Sequence, residues 1–168
     1  LENIKPVRGR MELAATKKNG ATVYVDYAHT PDAIEVALKS LKPHILGKLI
    51  VVIGAGGERD QGKRPLMGTA AEQNSDFVII TDDNPRTEDP SVIHQMIKNG
   101  IQNDNKVKVI ADRAEAILTA VDLLEVGDGL LIAGKGHETE QVIGENNFPF
   151  DDFEQASLSV ASLDGIEQ

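Results

Sequence analysis

Three uninterrupted apolar runs, at Leu49–Ile53, Phe77–Ile80 and residues 130–133, constrain this chain more than any other feature. A strand with one wet face alternates apolar and polar residues, whereas a strand covered on both faces need not. Runs of four or five such residues are too short for buried helices, so they read as central strands of a covered sheet. Residues 23–25 (Val-Tyr-Val) and the weaker run 107–110 add two more candidates. Helix-period stretches lie between them at 33–41, 65–73, 92–101 and 114–124. Their expected start signals are Thr30 with Pro31, Ser91, and Asp112 with Glu115 three residues on.

Strand and helix therefore alternate, which implies right-handed βαβ crossovers and parallel pairing. The expected fold class is α/β, a Rossmann-like open and mostly parallel sheet with helices on both faces. A short antiparallel hairpin should precede it, with residues 10–14 and 22–25 flanking Asn19-Gly20. A second pair of short extended runs, 141–143 and 148–150, brackets Gly144-Glu145-Asn146-Asn147. A last helix is expected over Asp152–Leu163, with the final five residues frayed. A length of 168 residues suits one domain spanning the whole chain. The chain opens at Leu1 rather than Met, and residues 1–6 read as a linker entering a domain, so a piece of a longer protein is expected.

In an open α/β sheet, ligands bind beyond the carboxyl ends of the strands. The segments there are Asp26-Tyr27-Ala28-His29-Thr30, Gly54-Ala55-Gly56-Gly57-Glu58-Arg59-Asp60, Asp82-Asp83-Asn84-Pro85-Arg86 and Gly134-Lys135-Gly136-His137-Glu138. Parallel connectivity brings all four to one edge. The third is the most informative, because Pro85 stiffens it and disfavours helical geometry at Asn84. A turn is commonly built from Asp, Asn and Pro, so that loop alone proves little. Four loops of mixed charge on one edge suit a zwitterion, or a nucleotide with magnesium.

Other chemistry is excluded or weakened. A net charge of −10 argues against non-specific nucleic-acid binding. No apolar run reaches membrane-spanning length, so no membrane insertion is expected. The absence of cysteine rules out disulfides and thiolate metal sites, and fits a cytoplasmic protein. No metal site is expected: His29 and His137 have no zinc spacing, and His44 and His94 read as surface helix or helix-end residues. Gly54-x-Gly56-Gly57 imitates a dinucleotide fingerprint but has Arg59 where the third glycine belongs. Gly129-x4-Gly134-Lys135 imitates a P-loop, yet Gly136 replaces the hydroxyl residue and the interval is strand.

These loops, together with Gly9-Arg10-Met11-Glu12, Thr30-Pro31-Asp32 and Gly62-Lys63-Arg64-Pro65, stand in the order seen in the Mur ligase family. The chain is similar to that family's carboxyl-terminal domain over nearly its whole length, most of all in the branch that adds meso-diaminopimelate. The resemblance implies a three-domain ATP-dependent amide ligase of peptidoglycan precursor synthesis, acting on UDP-N-acetylmuramoyl-L-Ala-D-Glu. ATP and magnesium are implied cofactors, with the magnesium ligands and the UDP-linked dipeptide held by the other domains. ATP would phosphorylate the dipeptide carboxylate, and the amino-acid amine would then attack. The resemblance places Arg10, Asp26 and His29 toward ATP, and Arg59, Asp83, Asn84, Pro85, Arg86, Gly134 and Glu138 around diaminopimelate. Arg86 would grip the distal carboxylate and Glu138 the distal ammonium. No residue is singled out to deprotonate the amine. The chain alone would be inactive. Two departures, Ala55 before Gly56 and Thr139-Glu140 where an aromatic often sits, touch no implied contact. A Mur-type or folylpolyglutamate-type domain for another amino acid remains open, as does a non-catalytic amino-acid or nucleotide binding module. A nicotinamide oxidoreductase is the weakest alternative.

Overall fold

The computed structural model describes residues 8–165. The linker expected over 1–6, and the last three of the five residues expected to fray, lie outside the described residues. Asp164 does not fray: it caps the last helix, and its carboxylate accepts from the Lys18 amide at 2.8 Å.

Strands β1 (Glu12–Thr16) and β2 (Thr22–Asp26) form the antiparallel hairpin. The first begins two residues later than expected, because Gly9 and Met11 turn through positive φ before it. Helix α1 (Pro31–Leu41) leads to β3 (Leu49–Ile53), α2 (Lys63–Asn74) to β4 (Phe77–Ile80), and α3 (Pro90–Lys98) to β5 (Val107–Val109). Helix α4 (Arg113–Leu123) returns the chain to β6 (Gly129–Ala133). The short strands β7 (Glu140–Ile143) and β8 (Asn146–Pro149) then pair with each other, before α5 (Asp152–Leu163).

The main sheet runs β1-β2-β6-β3-β4-β5, parallel apart from β1. Alternate residues of β3 serve opposite faces, which explains its unbroken apolar run. Val51 and Ile53 pack with Ile34 and Leu38 of α1, Met67 of α2 and Ile97 of α3. Ile50 and Val52 pack with Ile117 and Val121 of α4 and Val160 of α5. Both faces are dry, as the runs require.

Three helices start two residues earlier than their apolar pattern suggests, and α4 starts one residue earlier. Thr30 caps α1 through the Ala33 amide, with Pro31 at the first position. The cap of α3 is Asp89, not Ser91: its carboxylate accepts the Ser91 amide, and Pro90 fills the first helical position where no N–H is needed. In α2, Pro65 stands in the first turn, where a missing N–H breaks no ladder bond. Asp112 caps α4 through the Glu115 amide, as the spacing implies. Among the described residues no helix is long and apolar enough to cross a membrane.

Candidate amino-acid-binding site

Four loops meet beyond the carboxyl ends of β2, β6, β3 and β4 and enclose a cleft of about 320 Å³. The loop after β4 is the most heavily anchored. Its Thr81 hydroxyl donates to Ala111 O, and Asp82 Oδ1 lies 2.6 Å from His94 Nε2. That contact corrects the surface reading of His94, which is buried on the inner face of α3.

Asn84 is buried at the junction of three loops. Its Oδ1 accepts from Lys135 Nζ at 3.1 Å and from the Val142 amide at 2.9 Å, while Nδ2 donates to Glu138 Oε2 at 3.3 Å. Its carbonyl accepts the Gly57 amide at 2.8 Å. Asn84 thus orients the cleft carboxylate Glu138 as well as lining the cleft itself. Pro85 is absent from the lining. Its carbonyl lies against Gly57, where a built Cβ would sit 1.9 Å from the oxygen, so only glycine lets these two backbones meet.

Arg86 holds a left-handed φ of 52°. Its backbone pairs with the small hairpin, the amide donating to Val142 O at 3.1 Å and the carbonyl accepting from Gly144 at 2.6 Å. One guanidinium nitrogen, Nη1, donates to Gly57 O at 2.9 Å. Nε and Nη2 make no hydrogen bond among the described residues, and the side chain lines the cleft beside exposed Arg59 and Lys63.

The opposite charge comes from Asp83 and Glu138. Asp83 is buried, and its carboxylate makes no hydrogen bond among the described residues. It faces Gly134, whose φ of 114° disfavours a side chain and where a built Cβ would sit 2.7 Å from Asp83 Oδ2. Glu138 is 38 % exposed and lies 3.9 Å from Lys135 Nζ. Lys135 itself points inward, away from the cleft, as a strut between Asn84 and the Glu140 carbonyl. Burial pushes its pKa below the ordinary lysine value.

A second cluster surrounds Tyr27. His29 packs edge-on to its ring at 4.6 Å, the His137 ring is 6.4 Å away, and the Arg10 guanidinium sits 5.4 Å from the Tyr27 centroid. His29 lines the cleft mouth, whereas Arg10 and Asp26 stand outside its lining. Asp26 accepts the Met11 and Ala28 amides, each at 2.8 Å, which joins the hairpin entrance to this loop.

Sequence reasoning missed the groups that act from behind. Arg113 is buried and grips Asp152 at 2.8 and 2.7 Å, while donating to Asp82 O and Ala133 O at 3.1 Å each. Burial works against its charge, but the carboxylates of Asp152, Asp83 and Glu138 together outweigh it, so its pKa lies above the ordinary arginine value. Arg64 of α2, which the sequence already places just beyond the Gly54–Asp60 loop, lines the cleft; what the sequence hides is that it is buried and reaches Glu88. Neither pair is local in sequence, and no spacing rule signals them.

The cleft gathers guanidinium groups and carboxylates, and among the described residues its lining contains no nucleophile hydrogen-bonded to a base. It can bind and orient a zwitterion, and it offers positioning rather than covalent chemistry.

Comparison with known proteins shows the family of the chain. Residues 9–136 match the family model described as "Mur ligase, glutamate ligase domain". The chain is 49 % identical over 162 residues to the UDP-N-acetylmuramoyl-L-alanyl-D-glutamate--2,6-diaminopimelate ligase of Bradyrhizobium diazoefficiens, covering 96 % of this chain and 33 % of that protein. It is 51 % identical over 160 residues to the ligase of the same name from Coxiella burnetii, covering 95 % and 32 %. A solved structure bearing that ligase name superposes with a TM-score of 0.88 at 42 % identity, over 95 % of this chain and 33 % of that one. The chain thus spans about a third of the length of the relatives it matches.

Proposed function

The chain belongs to the Mur ligase family, and from that membership we propose that it is the carboxyl-terminal, amino-acid-binding domain of a three-domain ligase. The ligase adds meso-diaminopimelate to UDP-N-acetylmuramoyl-L-Ala-D-Glu in peptidoglycan precursor synthesis. The observation that carries the reading is the mixed-charge lining of one cleft, which gathers Arg59 and Arg86 with Asp83 and Glu138. At about 320 Å³ the cleft lies at the small end of ligand pockets, the right scale for an amino acid rather than a nucleotide-linked sugar.

In this reading Arg86 uses its free Nε and Nη2 to take the distal carboxylate in two parallel hydrogen bonds, the geometry a guanidinium provides and an ammonium does not. Glu138, oriented by Asn84, receives the distal ammonium. Asp83, Asn84 and Gly134 shape the floor, Pro85 sets the loop, and Arg59 covers the open side. Lysine lacks the second carboxylate and would leave Arg86 unpaired, which is how a polar site rejects a near-isostere.

ATP supplies the activation of the dipeptide carboxylate, and magnesium is held by the other domains. The residues here fit a nucleotide at the cleft mouth. Arg10 is an exposed cation over Tyr27, exposed His29 stands beside it, and each Asp26 oxygen keeps a second lone pair for a ribose hydroxyl. In this reading the ligase acts in the cytoplasm.

The test is an amide NMR titration of this chain with meso-diaminopimelate and separately with L-lysine. Shifts at Arg59, Asn84, Arg86, Gly134 and Glu138 with diaminopimelate alone are expected. Equal shifts with lysine would reject the selectivity. No shifts with either ligand would reject a site complete within this chain.

A further inference from the structure

Glu88 lies outside the cleft, yet it touches both loops that carry the cleft arginines. Its Oε2 accepts from Arg64 Nη1 at 2.9 Å, and Oε1 accepts from Arg64 Nη2 at 3.0 Å and from the Glu58 amide at 2.7 Å. Arg64 extends the contact by donating from Nη2 to Gly56 O at 3.0 Å. One carboxylate and one buried guanidinium therefore bind the backbone of the Gly54–Asp60 loop to the segment that follows Arg86. The hydrogen bonds from Arg64, then that from the Glu58 amide, hold the Glu88 carboxyl below the usual glutamate range, so it stays ionised.

The clamp acts where the backbone is under strain. Glu58 has φ 57° and Arg86 has φ 52°, a left-handed conformation that side chains other than glycine disfavour. Glu58 precedes Arg59 directly. Its left-handed turn decides where the Arg59 side chain leaves the backbone, and the bond from its amide to Glu88 keeps that turn in place. Thr87 adds a side-chain bond to Glu58. On the other loop, Arg86 Nη1 and the Asn84 carbonyl complete the clamp at Gly57.

We propose that Glu88 is a positioning residue which, through Arg64 and the Glu58 amide, holds Arg59 and Arg86 at the separation and orientation that recognise a dicarboxylate amino acid. The ligand's identity rests on the ligase reading above; the clamp does not. Glutamine cannot replace it, because an amide nitrogen would face either Arg64 or the Glu58 N–H, donor against donor. Aspartate is one methylene too short to meet both partners.

The experiment measures steady-state kinetics of the full-length ligase carrying Glu88→Gln, with meso-diaminopimelate and ATP varied in turn. A KM for diaminopimelate raised about tenfold or more is expected, with the KM for ATP within about twofold of wild type. The double variant Glu58→Gly/Glu88→Gln should recover part of that loss, because glycine holds the left-handed turn without strain. A purely structural role would lower the thermal midpoint and the active fraction, leave the KM for diaminopimelate alone, and gain nothing from glycine at position 58. An unchanged KM, or equal rises for both substrates, overturns the proposal. If Glu88→Gln does not fold, Arg64→Lys removes the fork from the other side, with the same outcomes required. If the wild-type ligase prefers another amino acid, the ligand reading fails, and the clamp is judged on the KM of that amino acid.

Discussion

At the scale of single residues, the site separates groups that face the ligand from groups that hold them. Arg86 does both, with Nη1 tied to Gly57 and the remaining donors turned to the cleft. Removing a buried hydrogen-bonded charge partner costs about 2–5 kcal/mol. Arg86→Ala in the full-length ligase is therefore expected to lower kcat/KM for meso-diaminopimelate by about 100-fold or more, and for lysine by less than about tenfold. Arg86→Lys should not restore activity, since a point charge cannot reproduce the fork. Both substitutions keep a side chain at φ 52°, so backbone strain is the same in each comparison. Steady-state kinetics with the two amino acids checks this. Lys135 gives a different prediction, one of stability. Burial lowers its pKa in the folded state, so the unfolded chain holds its proton to higher pH. Between the lowered value and the ordinary lysine value, the unfolded state binds more protons, and stability gains as pH rises. Urea unfolding from neutral pH upward should show wild type gaining on Lys135→Met across that window. The reactive-looking residues of the cleft were legible because they follow strands directly. Lys135 was legible as a failed P-loop lysine, but its inward strut was not, because nothing local distinguishes a lysine pointing in from one pointing out.

At the scale of elements, the β7–β8 hairpin shows how a weak unit is made firm. An isolated two-stranded hairpin is marginal in water. This one is bound to the loop after β4 by the Arg86 pairing to Val142 and Gly144, by Val142 N to Asn84 Oδ1, and by Gln141 Nε2 to Asp83 O at 2.9 Å. Asn84→Ala deletes one of these bonds and also leaves buried Lys135 without its side-chain acceptor. A loss of about 1–3 kcal/mol is expected, and amide exchange should quicken at Val142 and Gly144 more than at Val51 or Leu131. Uniform quickening would show that the hairpin is not a separately released unit. The sequence displayed the two extended runs and the turn between them. Its docking was hidden, because the bonds run to backbone and amide groups about 58 residues away, where periodicity carries no information.

At the scale of the whole molecule, the Arg113–Asp152 pair ties α4 and α5 to the ends of β4 and β6. Breaking a buried ion pair from one side costs about 3–5 kcal/mol, because a charge is left unmatched. Arg113→Met is expected to destabilise the chain by that amount in urea unfolding, and Arg113→Met/Asp152→Leu by less than the single variant. A double variant as unstable as the single one would assign the cost to the lost carbonyl contacts instead. The covered parallel sheet was readable from its apolar runs, and the ligand edge from their polarity of direction. Arg113, Asp152 and the pairing of Arg64 with Glu88 were not, since a charged residue beside a helix start looks solvated until the partner that buries it is placed in space. The strand order carries a further consequence, for the timing of synthesis. Strand β6 lies between β2 and β3, yet it is the last parallel strand made. Until residues 129–133 leave the ribosome, the hairpin strands and the β3–β5 segment are two fragments with no sheet partner in common. The nascent chain therefore carries two unpaired strand edges until β6 is made, and the cleft, whose Gly134 and Glu138 follow β6, can close only after that strand has joined the sheet.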